Sequence, residues 1–166
     1  MANNTKQPEP KWKGIDTSLE VLGFLALLAL IFLPIIYYHQ LPQTIPTHFD
    51  IYGKPDDFSS KQSLIALPVI GSFLYILLTA ISIFIGKYNY PVKITPENAE
   101  RQLRLAMRLV RIVKSLLVTV FCYIAFQTIQ VARGNASGLG GYFVLISAGT
   151  FAVVLIFYFL FAYKKT

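Results

Sequence analysis

Charge is scarce in this chain of 166 residues: 14% are charged, against 55% hydrophobic. A water-soluble domain carries about a quarter charged residues, so there are too few here to cover a globule of this size. A water-soluble single-core protein is excluded. A disordered chain is excluded too, because such chains are poor in apolar and aromatic residues. The single cysteine, Cys122, stands inside an apolar run, which leaves no internal disulfide and no cysteine-based zinc site. The two histidines, His39 and His48, fall in one short segment. There is no HExxH and no nucleophile elbow, and two histidines in one loop support no Ser-His-Asp arrangement. A non-enzymatic protein without a cofactor is expected.

What is abundant is apolar sequence in long runs. A membrane span needs about 20 mostly apolar residues to cross roughly 30 Å of hydrocarbon. Four runs meet or approach this: Leu19 to Tyr38, Leu64 to Gly86, Ser115 to Ala132 and Gly141 to Tyr163. Pro34 and Pro68 lie inside spans, where membrane helices tolerate them. Tyr37, Tyr38, Tyr88, Tyr90, Tyr142 and Tyr163 lie near run ends, as an interfacial aromatic belt requires. Gly71 with Ser72, and Ala148 with Gly149, offer small faces for helix packing. The runs hold no ionisable residue at mid-depth, where pumps and exchangers place them. Glu20 is near the start of the first run.

The net charge of +7 is explained by orientation rather than by nucleic acid, for which base-stacking and helix-turn-helix patterns are missing. With four spans, the N-terminal tail, the loop after the second span and the C-terminus share one side. That side collects twelve basic residues, against Lys54, Lys61 and Arg133 on the other. Basic residues stay in the cytoplasm, so both termini are expected there. The expected domains are a tail over 1–17, a two-helix module over 18–86 with an outer loop at 40–63, and a unit over 87–166.

Thr95-Pro96-Glu97 reads as a helix start, and no breaker comes after it until Gly134, so one helix is expected to run from the cytoplasm into the third span. Arg101, Arg104, Arg108 and Arg111 recur at steps of three and four, hence on one face. Two readings stand: a stripe that meets anionic lipid or a cytoplasmic partner, or positive-inside anchors with snorkelling side chains.

The outer loop is longer than a connector needs. Ile45 to Tyr52 roughly alternates in polarity, which predicts a short extended piece, and Gly53-Lys54-Pro55-Asp56 predicts a turn. Gly53 is expected to take positive φ. Ser59 or Ser60 is expected to cap the second span, and Lys61 to pair with Asp56 or Asp57. Two apart on a strand, His48 and Asp50 share a face, which makes them candidate ligands for a divalent metal. Alternatively the polar residues hold the loop in shape, or they form a binding surface.

Pro46-Thr47-His48-Phe49, Gly53, Asp56 and Lys61 resemble the signature of the bacterial family known as domain of unknown function 1648. The segment Tyr90 to Arg101 is similar to the stretch that comes after that module in SdpI-type immunity proteins. The resemblance covers roughly residues 18 to 111. It implies a multi-pass protein of the bacterial cytoplasmic membrane; in the SdpI branch it implies protection against a secreted toxic peptide. This chain has four expected spans rather than that branch's six.

The fold expected is therefore an all-α integral membrane protein of four helices, N-in and C-in, with a structured outer loop and a cytoplasmic extension of the third helix. The expected binding residues are Pro46, His48, Asp50, Tyr52, Gly53, Asp56 and Lys61, and the expected partners are the bilayer and a secreted peptide or another membrane protein. An accessory subunit of a larger membrane complex is the second reading, and a metal-dependent membrane enzyme the third.

Overall fold

The computed structural model describes residues 14–84 and 90–164. Lys6, Lys11, Lys13, Lys87 and Lys165 of the charge count lie outside the described residues, as do Tyr88 and the last residues of the second run. The chain runs α1 (Gly14–Tyr37), β1 (Thr44–Phe49), β2 (Pro55–Ser60), α2 (Ala66–Phe84), α3 (Ala99–Ala132) and α4 (Phe143–Tyr163). Short 3₁₀ turns at Tyr38–Gln40 and Lys61–Ile65 flank the two strands. The four helices are long and apolar enough to cross a membrane.

The all-α expectation needs one correction: the outer loop is a β-hairpin. β1 pairs antiparallel with β2, with Ile45 opposite Ser59 and His48 opposite Asp57, and the register shifts between Pro46 and Phe49. The second strand, Pro-Asp-Asp-Phe-Ser-Ser, has little β propensity of its own. It becomes a strand because the turn before it folds it back on β1. In that turn the Asp50 carboxylate accepts the backbone N–H groups of Tyr52 and Lys54 at 2.9 and 2.8 Å. Gly53 supplies the expected positive φ of 74°.

α3 is the common wall against which α1, α2 and α4 pack. Leu27 and Leu30 of α1 meet Val118 and Ala125 of α3 in a core that Leu67 and Phe121 complete. Gly71 lets α2 close on this core, since a Cβ there would stand 2.5 Å from Leu30 Cδ2 and 3.2 Å from Phe121 Cδ2. Gly149 faces open space instead.

α3 starts four residues later than Thr95. The Thr95 carbonyl accepts the N–H groups of Asn98 and Ala99, while the Thr95 N–H donates to Asn98 Oδ1 at 2.9 Å. Thr95 to Asn98 thus close a turn on themselves, and the helix begins at Ala99. At the other end Gly134 takes φ 76°, and the Asn135 N–H returns to the Gln130 carbonyl, a helix stop that satisfies otherwise orphaned carbonyls.

α4 lies antiparallel beside the first two-thirds of α3. Tyr123 stacks on Phe143 at one end, with ring centroids 4.8 Å apart. Gln102 Nε2 donates to the Ala162 carbonyl at the other, at 2.9 Å. The start of α3 is therefore covered by the end of α4. The cause is apolar: Leu103 and Ala106, with Met107 and Val110, pack against Tyr158 of α4.

Candidate functional site

The hairpin is pinned at both ends. At its base Ile45, 1% exposed, packs with Leu41, Leu64 and Ile129. Lys61 turns inward: its Nζ lies 3.5 Å from the carbonyl oxygens of Tyr38 and Leu41 and 4.8 Å from the Tyr38 ring centroid. The expected pairing of Lys61 with Asp56 or Asp57 is thus replaced by carbonyl contacts, because the 3₁₀ turn carries it back over the end of α1. The expected side-chain cap from Ser60 is also not made; Ser60 offers its carbonyl to the Ser63 hydroxyl at 2.7 Å.

At its tip the hairpin docks on the loop before α4. The Leu139 N–H donates to the Gly53 carbonyl at 2.7 Å. The approach is backbone to backbone, and a Cβ on Gly138 would stand 2.1 Å from that same oxygen. Tyr123 and Gln127 of α3 hold the loop from beneath, through the carbonyls of Leu139 and Gly138 at 2.9 and 3.2 Å. Gln130 likewise holds Asn135 at 3.0 Å. Both glutamines thus tie α3 to the loop that follows it.

Held in this way, the hairpin turns one set of side chains outward. His48 Nδ1 and Asp56 Oδ1 share a hydrogen bond of 2.6 Å with both groups largely exposed. Thr47 reaches Asp57 at 3.5 Å. Ile51, Tyr52 and Phe58 are exposed apolar side chains on the same element, 70%, 65% and 54% accessible. Of the expected binding residues, Pro46, Asp50, Gly53 and Lys61 shape and anchor the hairpin, while His48, Tyr52 and Asp56 face outward. His48 and Asp50 do not form a ligand pair: β1 ends at Phe49, so Asp50 lies in the turn with Oδ1 taken by backbone N–H groups. Among the described residues, no group of three His, Cys, Asp or Glu is placed to hold a metal ion.

At the opposite end, the arginines do not form an open stripe. Arg108 grips both oxygens of Asp16, through Nε at 2.9 Å and Nη2 at 3.3 Å. Arg111, 5% exposed, bridges Asp16 and Glu20, each at 3.2 Å. Lys114, 1% exposed, holds Glu20 at 2.7 Å and the Thr79 hydroxyl at 3.0 Å, with its Nζ 4.5 Å from the Tyr75 ring centroid. Arg104 pairs with Glu100, and Arg101 caps the end of α4 through the carbonyls of Phe161 and Lys164. Counted along α3 from the Tyr123 and Gln102 contacts, Lys114 stands level with the middle of α4. Along α1 and α2 the same lysine stands toward the helix ends, beside Glu20 and Thr79, because α4 is offset along α3. This network was missed, although its signal was present. Asp16 and Glu20 are four apart, and Arg108, Arg111 and Lys114 recur at threes, so each set is a stripe of one sign.

Four helices long and apolar enough to cross a membrane, with a structured hairpin between the first two, are the make-up of a multi-pass membrane protein. Residues 24–71, from the middle of α1 through the hairpin into α2, match the family described as domain of unknown function (DUF1648). The chain is also similar to an uncharacterised protein of the archaeon Archaeoglobus fulgidus, 38% identical over 69 residues, which are 42% of this chain and 36% of that protein. The chain thus spans about a third of the length of the relative it matches. No solved structure matches.

Proposed function

We propose that the protein is a non-enzymatic binding protein of the cytoplasmic membrane, with both termini inside, that meets a secreted peptide or a membrane partner through its outer hairpin. The observation that carries this reading is a hairpin fixed at base and tip that still exposes Ile51, Tyr52 and Phe58 beside the His48–Asp56 pair. A connector needs no such anchoring, and large apolar side chains left exposed on an anchored polar element are available for contact. α3 is suited to carry the event inward, since it touches the hairpin near Ile129 and the charge network at Arg108 to Lys114. The SdpI-type resemblance supports a peptide as the ligand. A photo-crosslinking residue at Tyr52, in living cells, tests the reading. Capture of a defined secreted peptide or protein supports it; capture of lipid and the protein's own helices alone overturns it.

The accessory-subunit reading draws on α4, which lies chiefly against α3 and leaves most of its apolar surface uncovered. A stoichiometric membrane partner that co-purifies and is lost on α4 substitutions would favour it.

A further inference from the structure

The four arginines of α3 are not equivalent. Arg101 is turned to the end of α4, Arg104 to Glu100, and Arg111 is enclosed between two carboxylates. Arg108 uses Nε and Nη2 on Asp16, which leaves the Nη1 edge of its guanidinium unspent among the described residues. Its side chain keeps 27% of its surface exposed. Arg108 also lines a groove of about 430 Å³ between α3 and α4, whose walls include Leu105, Leu109, Ile112, Phe157 and Phe161.

Depth gives this groove its chemistry. α4 has 21 residues and no charged one, and at 1.5 Å per residue it is about 31 Å long, the thickness of the hydrocarbon. Its inner end is marked by the Gln102–Ala162 hydrogen bond. Arg108 lies six residues further along α3, and its partner Asp16 is in the first turn of α1, so its guanidinium stands at the inner end of the α1 span, at headgroup level. A guanidinium edge at this level, open sideways to lipid, is matched by a phosphate. Asp16 is shared between Arg108 and Arg111.

We propose that the α3–α4 groove binds an acidic phospholipid of the inner leaflet. Its phosphate sits against the Nη1 edge of Arg108, and one acyl chain runs along Leu109, Ile112 and Phe157 toward the bilayer centre. The site is a slot within the bilayer that one arginine reads, distinct from a basic surface.

The test places a fluorescent reporter in the groove wall, Phe157→Trp in a Trp12→Phe background, and reconstitutes the full chain in bilayers. Quenching by brominated phosphatidylglycerol is compared with quenching by brominated phosphatidylcholine. The expected preference for the acidic lipid is about fivefold, the worth of one basic residue near the surface. Arg108→Gln brings the ratio to about one, whereas Arg104→Gln leaves it unchanged. Leu109→Phe, which fills the groove and keeps Arg108, also lowers the ratio and serves if Arg108→Gln does not fold. Equal quenching by the two lipids overturns the proposal. So does a preference that survives both Arg108→Gln and Leu109→Phe, or one that Arg104→Gln abolishes equally.

Discussion

At the basic end of the bundle, α1 is tied to α3 by five charged side chains: Asp16 and Glu20 against Arg108, Arg111 and Lys114. At the hairpin end, Ile129 of α3 packs against Leu41, Ile45 and Leu64 from the segment between α1 and α2, with Leu33 and Tyr37 of α1 beside them, and the hairpin tip is held by a backbone contact between glycine-rich turns. The difference teaches where each kind of contact is usable. Charges removed from water must meet partners, so the ion network is all-or-none and depends on every member. Apolar and backbone contacts fail by degrees, through lost area or a small shift. The basic end is thus built as a lock, and the hairpin end as a fitted surface that can carry variable side chains.

Removing Asp16 tests the lock most severely. It is 1% exposed and holds two arginines, so Asp16→Ala is expected to destabilise the bundle by about 3–5 kcal/mol, the cost of leaving buried charge unpaired. Reversible unfolding in mixed micelles reads this, and Asp16→Glu should recover part of the loss. A change below about 1 kcal/mol would mean that the network is solvated like a surface pair.

Ile129→Ala attacks the fitted surface instead. A fully enclosed isoleucine is expected to cost about 2–4 kcal/mol in lost transfer and cavity terms, because Ile129 is 0% exposed between Leu41, Ile45 and Leu64. The loss should be local. Hydrogen exchange should rise at the hairpin base and leave α1 protected near Asp16. Equal deprotection at both ends would erase the contrast between them.

Smaller effects sharpen the comparison further. Gly138→Ala puts a Cβ 2.1 Å from the Gly53 oxygen, and freeing the tip is expected to cost about 1–3 kcal/mol. The Leu139 amide should lose its protection first. His48→Ala removes an exposed pair with Asp56, so its effect on stability should stay within about 1 kcal/mol. Its effect should appear instead as weakened crosslinking at Tyr52.

The smallest effect lies outside the spans. Glu97 is held below the ordinary carboxylate range, first by the Thr95 hydroxyl and then by a backbone N–H. A carboxyl held low adds stability above its unfolded value, and that contribution is lost as pH falls through the lowered one. Thr95→Ala should therefore move the Glu97 titration upward, as carboxyl NMR would show, and leave both ends of the bundle unchanged.

The four spans, the long third helix that stops at Gly134 and the positive-φ turn at Gly53 were all legible in the residues. Each is set by a local rule: apolar run length, the absence of a breaker, or the conformational freedom of glycine. The hairpin was half legible. Thr44 to Phe49 shows its alternation, whereas Pro55 to Ser60 is a strand only by pairing. Lys61 was misread because which carbonyls it meets depends on how the 3₁₀ turn returns it to α1. The charge network was the largest gap. Its members stand about ninety positions apart, and each looks like an ordinary end-of-span charge. Sequence by itself determined that four segments of this chain are long and apolar enough to cross a membrane, because that depends on the summed hydropathy of consecutive residues. Tertiary structure alone decided that α4 sits low along α3, that Lys114 is enclosed level with its middle, and that Arg108 is left with an open edge. Those outcomes depend on the offset between helices, which is fixed by packing of Tyr123 on Phe143 and of Tyr158 on Leu103 and Ala106, contacts that no local pattern encodes.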